Sequence, residues 1–439
     1  MAEAQAAGEA LPDIRLSPLE RLKAILGGSA GNLVEWYDWF AYASFSLYFA
    51  KVFFPKGDQT AQLLQTAAVF AVGFVARPIG AWLMGVYADR AGRRAALTLS
   101  VALMCFGSLL VALTPGYAAI GAAAPVVLTG ARLIQGLSLG GEYGASATYM
   151  SEMAGKARRG FWSSFQFTTL IMGQLSALAV LLVLQQVMPK AALEAWGWRV
   201  PFVIGALLAV VVFWIRLGLA ETHSFVNAKA EGAGRSTTLL LFTRHPRESL
   251  TIFGLTAGGS LGFYAFTTYM QKFLVNTTGF SKDVASQISA ASLVVFLLCQ
   301  PLVGWLGDHV GRKRLLTAAF GLGAVITYPL MSTLAGTSNA ALALLLACLA
   351  LVTLSGYTAV NAVVKAELFP THIRALGVAL PYALANAVFG GAAEYVALWL
   401  KQAGFESGFY IYVSVIMAVA CVVAATMRDT QAHSLIKED

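Results

Sequence analysis

The chain repeats one pattern at half its length: a long apolar run that ends in glycines, an acid and several basic residues. The first copy is GVYADRAGRR at residues 85–94, and the second is GWLGDHVGRK at residues 304–313. An internal repeat at this spacing, in which each copy follows an apolar run, is typical of a membrane protein built from two related halves.

The composition also indicates a membrane protein. Of the 439 residues, 58% are hydrophobic and 12% are charged, whereas soluble domains carry about 25% charged residues. The formal net charge of +8 comes from cations between the apolar runs, which indicates basic loops and not a nucleic-acid surface. The four cysteines stand singly, without disulfide or metal-ligand spacing. We therefore expect a lipid bilayer around the chain, and no nucleic acid, metal or cofactor.

Apolar runs of about 20 residues, the length that a helix needs to cross a bilayer, occur six times in each half. The predicted spans are Ala24–Ala50, Leu63–Ala88, Ala95–Thr114, Ala122–Met150, Phe161–Val187, Val200–Leu219, Leu250–Val275, Val284–Leu306, Leu315–Leu334, Ala340–Leu368, Ala375–Leu400 and Gly408–Met427. The sequence therefore predicts an all-α membrane protein of twelve transmembrane helices in two pseudo-symmetric six-helix bundles. The predicted bundles are residues 24–219 and 250–427, with a cytoplasmic loop at 220–249 and cytoplasmic tails at 1–23 and 428–439.

The basic residues predict the orientation. Most of the 30 Lys and Arg residues fall on the side that carries both termini, so the positive-inside rule places both termini in the cytoplasm. The same count assigns Lys272 to the outer side. The count leaves three cations that belong to neither side and are expected inside the membrane: Arg77, Arg132 and Lys365.

Those three cations predict an anion site. A cation at the membrane centre costs about 2.5–3.5 kcal/mol on insertion scales, so it normally faces a partner or a wet cavity. Internal salt bridges are one explanation, and Lys365 has Glu367 and Glu394 within reach as partners. Three cations around one cavity suit a small dicarboxylate, because arginine holds a carboxylate through two parallel hydrogen bonds. Three polar side chains are expected to assist in binding: Tyr42, Tyr264 and Asn361.

Proton coupling is expected to depend on carboxylates, because the five histidines fall in predicted loops or the tail. Glu35 and Asp38 lie three residues apart on one face of the first predicted helix, and Glu142 in the fourth is a third candidate. A carboxylate in a partly dry cavity holds a proton more readily than one in water. Moving two negative charges into a negative-inside cell costs about 4.6 kcal/mol at about 100 mV, which two or more protons would offset.

Charges at helix ends predict a gate. Asp89 can pair with Arg93 and with the N-terminus of a neighbouring helix, and such a contact can form in one state and break in another. Asp308 and Arg312 occupy the corresponding positions in the second half.

These motifs resemble those of a known family. GVYADRAGRR matches the loop signature of the major facilitator superfamily, and Arg132-x-x-Gln135-Gly136 matches its fourth-helix motif, whereas the second copy has His309 where arginine is usual. More narrowly, GNLVEWYDW, ARLIQGLSLGGEYGASATYMSEMA and VKAELFPTHIRALG are similar to the metabolite:proton symporters. The resemblance implies twelve helices, a bacterial inner-membrane location and import of α-ketoglutarate with protons by alternating access. It also implies a conformational role for Arg199.

Alternative functions differ in what they need. Related symporters take citrate, shikimate or zwitterions such as proline and betaine, and a zwitterion needs fewer cations than three. An enzyme or receptor needs a catalytic constellation or a sizeable soluble domain, and a channel does not need buried opposite charges. Together with what the resemblance implies, these requirements favour a monomeric importer of α-ketoglutarate or a close dicarboxylate, coupled to protons, and not an enzyme.

Overall fold

The computed structural model describes residues 18–91, 93–140, 147, 151, 156–217, 241 and 243–436, and throughout them the regular secondary structure is helical. In the hydrocarbon layer of a bilayer, a helix satisfies its backbone N–H and C=O groups internally, which no isolated strand can do. The apolar runs of this sequence therefore fold as helices, and short turns join them.

In the described part of the chain, twelve long helices run back and forth through the molecule. They are α1 (Pro18–Phe53), α2 (Gln59–Ala91), α3 (Arg93–Leu113), α4 (Ala123–Leu139), α5 (Phe165–Val187), α6 (Val200–Leu217), α7 (Pro246–Phe266), α8 (Lys282–Val310), α9 (Arg312–Ala335), α10 (Ala340–Thr358), α11 (Thr371–Ala385) and α12 (Ser407–Thr426). Shorter helical segments adjoin them, among them Arg159–Ser163, Lys190–Ala195, Thr268–Asn276, Asn361–Glu367 and Ala393–Gln402. We call the end at which α1 begins and α12 ends the inner end, and the opposite one the outer end.

These twelve helices correspond to the twelve predicted spans. Nine helical stretches among the described residues are long and apolar enough to cross a bilayer by length and composition. α3 and α4 contain shorter apolar runs, and the apolar run of α1 contains the buried acids Glu35 and Asp38. The fourth predicted span extended to Met150, but α4 ends at Leu139, and residues 141–146 and 148–150 lie outside the described part.

The outward-facing surface of these helices is apolar. Leu113, Trp214 and Val325 are 73%, 70% and 72% exposed, respectively. A protein in water seldom leaves many large apolar side chains uncovered. The surface therefore matches a lipid surrounding, while polar and charged side chains are turned inward between the helices.

Three helices of the second half are interrupted near their middle. α7 ends at Phe266 and, after Thr267, whose φ and ψ are −112° and −69°, continues as the segment Thr268–Asn276. α10 ends at Thr358 before Asn361–Glu367 continues it, and α11 passes into a π-helical turn at Asn386–Gly390. Interrupted helices place polar side chains and backbone groups inside a transporter, commonly at its binding site.

The two halves, before and after residues 218–240, meet along two seams. α2 packs against Ala393–Gln402, and α5 packs against α8. Glycine permits the close approach at each seam: a Cβ on Gly391 would lie 2.5 Å from the Phe74 Cβ, and one on Gly304 would lie 2.6 Å from the Gly160 carbonyl oxygen. Most of the predicted central loop at 220–249 lies outside the described residues.

Candidate functional site

Two arginines from different helices of the first half lie against one tryptophan. Arg77 of α2 is 5% exposed, and Arg132 of α4 is 0% exposed. The guanidinium carbon of Arg77 lies 4.0 Å from the Trp39 ring centroid, and that of Arg132 lies 3.9 Å from it. A desolvated cation–π contact is worth about 2 kcal/mol, so Trp39 of α1 helps to hold both cations in the protein interior.

Both arginines have hydrogen-bond donors that lack an acceptor. Among the described residues, no group accepts from Nε or Nη2 of Arg77, or from the same two atoms of Arg132. Arg132 donates from Nη1 to Gln135 Oε1 at 2.6 Å. Unsatisfied buried donors are costly, and a guanidinium edge is the shape that binds a carboxylate through two parallel bonds. The two side chains therefore form a site that favours an anion.

A buried carboxylate adjoins this anion site. Asp38 of α1 is 1% exposed and accepts hydrogen bonds from Ser108 Oγ and Gln135 Nε2. Because Gln135 also accepts from Arg132, its amide links the carboxylate to the guanidinium. The structure thus brings a predicted proton carrier and a predicted substrate-binding cation into one hydrogen-bonded network.

A small cavity lies between the halves beside Glu35. It is lined by Asn32, Glu35 and Arg77 of the first half and by Tyr382 and Asn386 of the second, among others. Its volume is about 20 Å³, which holds about one water molecule. A dicarboxylate is larger than a water molecule, so binding of such a substrate here requires the two halves to move apart.

Tyr264 of α7 connects the second half to the arginine site. Its ring meets the Phe74 ring edge-on, with 5.1 Å between centroids, and its hydroxyl interacts with Arg77 and Asn386. Gly390 leaves room for this ring, because a Cβ there would lie 2.9 Å from it. Tyr264 therefore contacts groups of both halves at the point where the sequence predicts substrate contact.

The other two predicted binding residues, Tyr42 and Asn361, are both buried. The guanidinium carbon of Arg132 lies 4.5 Å from the Tyr42 ring centroid, and the Tyr42 hydroxyl donates to the Thr66 carbonyl at 3.0 Å. Asn361 begins the segment that follows the interruption of α10. Tyr42 thus belongs to the arginine site, whereas Asn361 belongs to the interrupted region of the second half.

Lys365 lies in an aromatic environment of the second half. Its side chain is fully buried, its Nζ donates to the Tyr357 hydroxyl at 3.4 Å, and it lies 4.4 Å from the Tyr382 ring centroid. Tyr382 also lines the cavity that contains Arg77. The third predicted substrate-binding cation is therefore separated from the cavity by one aromatic ring.

Both acids that the sequence offered as partners of Lys365 bind other cations. Glu394 accepts from Lys272 Nζ at 2.6 Å, and Glu367 accepts from Arg312 Nη1 at 2.5 Å. Lys272, which the count of basic residues assigned to the outer side, has a side chain that is 1% exposed and lies in the protein interior. The helical segment that follows Thr267 turns this lysine inward, and position along the chain did not reveal it.

At the inner end, Asp308 joins the two halves. Its carboxylate accepts the N–H of Gly160 at 2.8 Å and that of Phe161 at 2.9 Å. The first N–H groups of a helical segment lack an internal acceptor and attract negative charge. Arg312 donates to the same carboxylate at 2.8 Å and thereby fixes its position. The contact has the geometry that the predicted gate needs.

The described C-terminal residues lie across the same inner end. Gln431 donates from Nε2 to the Asp308 carbonyl at 3.0 Å, and Arg374 donates from Nη2 to the Leu435 carbonyl at 2.9 Å. Residues 428–436, for which the sequence predicted only a cytoplasmic tail, therefore cover the contact between the halves.

At the outer end, Glu194 binds a lysine from each half. It accepts from Lys51 at the end of α1 and, at 2.8 Å, from Lys282 at the start of α8. Partial burial opposes ionisation, but the two lysines outweigh it and lower the pKa of Glu194 below its usual value. The ionised carboxylate therefore connects the halves at this end, a role that was not predicted from the sequence.

The remaining predicted gate residues are placed as follows. Arg199 donates from Nη2 to the Thr114 carbonyl at 2.9 Å and lies 4.1 Å from the Trp198 ring centroid, and both partners belong to the first half. Three predicted residues fall where no side chain is described: Asp89, Arg93 and Glu142. Within the described residues, no group of His, Cys, Asp and Glu has the arrangement of a metal site.

Comparisons with known proteins find relatives along almost the whole chain. Residues 24–249 match the family described as "Sugar (and other) transporter", and residues 252–438 match the one described as "Major Facilitator Superfamily". The chain is 53% identical to the alpha-ketoglutarate permease of Escherichia coli (strain K12), over 93% of this chain and 94% of that protein. It is 32% identical to the citrate-proton symporter of Salmonella typhi, over 92% of each chain.

Solved structures share the fold. The xylose transporter XylE from E. coli, in a partially occluded inward-open conformation, matches with a TM-score of 0.72 over 92% of this chain and 96% of that one, at 19% identity. The proton:xylose symporter XylE bound to 6-bromo-6-deoxy-D-glucose matches with a TM-score of 0.76 over 95% of this chain and 98% of that one, at 18% identity. The predicted fold of twelve helices in two bundles is thereby confirmed.

Proposed function

The chain belongs to the major facilitator superfamily of membrane transporters, and from this premise we propose that it imports α-ketoglutarate, or a close dicarboxylate, together with protons. The relative that is 53% identical bears the name alpha-ketoglutarate permease. A dicarboxylate also has the charge that the buried cations of this chain require. We further propose the bacterial inner membrane as its location, with the inner end and both termini facing the cytoplasm.

One observation carries the proposal: Arg77 and Arg132 meet at Trp39 and, among the described residues, each has two donor atoms without an acceptor. The two guanidinium groups are close enough to interact electrostatically, so each disfavours the other unless an anion lies between them. A dianion offsets both charges. A zwitterion such as betaine brings a positive charge as well and offsets them less.

Protons balance the charge of the imported anion in this proposal. Asp38 is linked through Gln135 to Arg132, and Glu35 lines the cavity that contains Arg77. A proton on either carboxylate strengthens the positive potential at the arginines and favours anion binding. Glu142 stays a third candidate for proton transfer from the sequence alone.

Transport then proceeds by alternating access, with the bundles at 24–219 and 250–427 rocking about the central site. Asp308 links the halves at the inner end and Glu194 at the outer end, so each end opens when its link breaks. Asp89, Arg93 and Arg199 keep their predicted conformational roles. Lys365 and Asn361 would complete the substrate contacts when the cavity enlarges.

Counterflow into proteoliposomes tests the substrate. Vesicles loaded with unlabelled α-ketoglutarate should take up labelled α-ketoglutarate saturably, with competition from C4 and C5 dicarboxylates. Citrate and shikimate test the other acidic substrates, and betaine and proline test the zwitterions. Exchange that betaine blocks and dicarboxylates do not would contradict the proposal.

A further inference from the structure

Lys272 and Glu394 form an ion pair deep in the protein, and the proposed function does not use this pair. Lys272 Nζ lies 2.6 Å from Glu394 Oε2, and the two side chains are 1% and 3% exposed. Lys272 follows the interruption of α7 at Thr267. Glu394 follows the π-helical turn Asn386–Gly390 of α11. The pair therefore joins two interrupted helices just beyond their interruptions.

Stability alone does not explain such a pair. Removing two charges from water costs several kcal/mol per ion, and well-packed apolar residues of similar size often stabilise a protein equally well or better. Inside a bilayer, ionisable side chains are correspondingly rare and are concentrated in substrate and proton pathways. A role in transport would account for the presence of both charges.

The surroundings of the pair connect it to the arginine site. Tyr42 of α1 interacts electrostatically with Arg132 of the first half and with Glu394 of the second, so one aromatic residue separates the two charged sites. Within the described part of the chain, the titratable groups that interact with Glu394 are Lys272 on the segment after α7, Tyr42 on α1, and Tyr269 on the same segment as Lys272. Lys272 is the charged one among them.

We propose that Glu394 is a proton-coupling residue of the second half, and that Lys272 becomes a substrate-binding cation when Glu394 is protonated. A proton from the outer side adds to the Glu394 carboxylate and forms the neutral acid. Lys272 keeps its charge, loses its counter-ion and attracts a substrate carboxylate. When that carboxylate leaves toward the inside, the proton leaves Glu394 and the ion pair forms again.

This inference rests on the proposed function and extends it, because it couples one proton to one carboxylate on a single pair of side chains. Each half then has a buried carboxylate linked to a cation, Asp38 through Gln135 to Arg132 in the first half and Glu394 to Lys272 in the second. The substrate carboxylate replaces the Glu394 carboxylate as the counter-ion of Lys272, so the buried cation lacks a counter-ion only between protonation of Glu394 and substrate binding.

The slope of accumulation against the imposed pH gradient tests the coupling. In proteoliposomes at zero membrane potential, each coupled proton raises the accumulation of α-ketoglutarate about tenfold per pH unit. Glu394→Gln should lower the accumulation about tenfold per unit of gradient, while substrate exchange continues with a weaker dependence on pH. Glu406→Gln, which breaks the Lys401–Glu406 pair near the outer end, should keep the wild-type slope. A wild-type slope in Glu394→Gln would overturn the proposal.

Two further measurements separate the possible failures. Lys272→Met/Glu394→Met keeps a packed interior, so this double variant should remain as thermostable as wild type but accumulate less substrate. Full coupled transport by the double variant would show that the pair is structural.

Infrared difference spectra should contain a protonated-carboxyl band that titrates in wild type and is missing in Glu394→Gln. If that band titrates although α-ketoglutarate is not transported, the proposed substrate fails and the proton site stands. If no such band titrates, the proton site fails.

Discussion

The carboxylate of Asp308 in the second half accepts the backbone N–H of Gly160 in the first half at 2.8 Å. Glu194 of the first half likewise binds Lys282 of the second half at 2.8 Å, at the opposite end of the helices. With both ends linked, the cavity between the halves has room for about one water molecule. The two links therefore define an occluded arrangement, and transport requires each of them to break in turn.

Asp308→Asn should open the inner end more often. The amide keeps the size of the side chain but loses the charge, and hydrogen bonds to charged groups are worth about 1.5–3 kcal/mol compared with about 0.5–1.5 kcal/mol for neutral ones. The open population should rise by about tenfold or more. The modification rate of Ser164→Cys, a buried position at the same seam, by an impermeant thiol reagent measures it in a background without native cysteines.

Glu248→Gln provides the control for that measurement. This acid also lies at the inner end, but its side chain is 32% exposed and its partner is His245 in the same half. Its removal should leave the modification rate of Ser164→Cys as in wild type. Equal rates for Asp308→Asn and Glu248→Gln would contradict the assigned gate.

Gly304→Ala should likewise favour an open inner end, because the added methyl group holds the two halves apart there. The added Cβ would lie 2.6 Å from the Gly160 carbonyl oxygen and 2.9 Å from the Ser164 Cβ, and overpacking of a tight contact costs about 1–3 kcal/mol. Accumulation of substrate should fall several-fold because the inner end closes poorly. Gly130→Ala is the matched control, since a Cβ there meets nothing within 4 Å, and it should transport normally. Normal transport by Gly304→Ala would contradict this prediction, because it would show that the two halves accommodate the added methyl group at this contact.

Arg132→Ala should abolish uptake while membrane insertion stays intact. The change removes the guanidinium edge proposed for the substrate and also the link through Gln135 to Asp38, so affinity should fall by about a hundredfold or more. Arg132→Lys keeps the charge without the planar edge and should retain part of the uptake. Counterflow rates, corrected for the amount of inserted protein, measure both variants. Wild-type uptake by Arg132→Ala would remove this residue from the binding site.

Glu194→Gln should weaken the outer link at neutral pH but not in acid. Because its lysine partners lower the pKa of Glu194 in the folded protein, the carboxylate adds stability above its unfolded pKa of about 4.3, and this contribution is lost as the pH falls through the lower folded value. The pair is partly exposed, so its contribution is about 1 kcal/mol or less. The unfolding temperature of wild type in detergent should slightly exceed that of Glu194→Gln at neutral pH, and the two should converge in acid.

Lys190→Gln serves as the comparison for that pair. Lys190 and Asp283 also face each other across the halves at the outer end, but they are 3.5 Å apart and 77% and 39% exposed. An exposed pair of this kind adds little stability, so the substitution should leave the unfolding temperature unchanged. A larger effect from Lys190→Gln than from Glu194→Gln would contradict the importance given to the outer link.

The fold was predictable from the sequence because bilayer thickness sets the length of each apolar run. The spans therefore lay where α1 to α12 are found, and the repeated motif identified the two halves. The interruptions at Thr267, at Thr358 and at Asn386–Gly390 were not predicted. Each lies within an apolar run that is long enough to cross a bilayer, so the length of the run gave no signal of it.

The site was predictable in part, for a different physical reason. Buried charge is costly enough that Arg77 and Arg132 could be selected from their position in apolar runs. The partner of a charge depends on how helices pack, which spacing along one chain does not specify. The ion pair of Lys272 with Glu394 and the position of Trp39 between the two arginines therefore required the structure.

The most direct test of the account is the accumulation of labelled α-ketoglutarate in proteoliposomes under an imposed gradient, acidic on the outside. We expect concentrative uptake that collapses when a protonophore removes the gradient, and that is lost in Arg132→Ala. Uptake of α-ketoglutarate that only equilibrates, with or without the gradient, would contradict proton coupling. Failure of α-ketoglutarate to enter, together with gradient-driven uptake of betaine, would contradict the dicarboxylate site at Arg77 and Arg132.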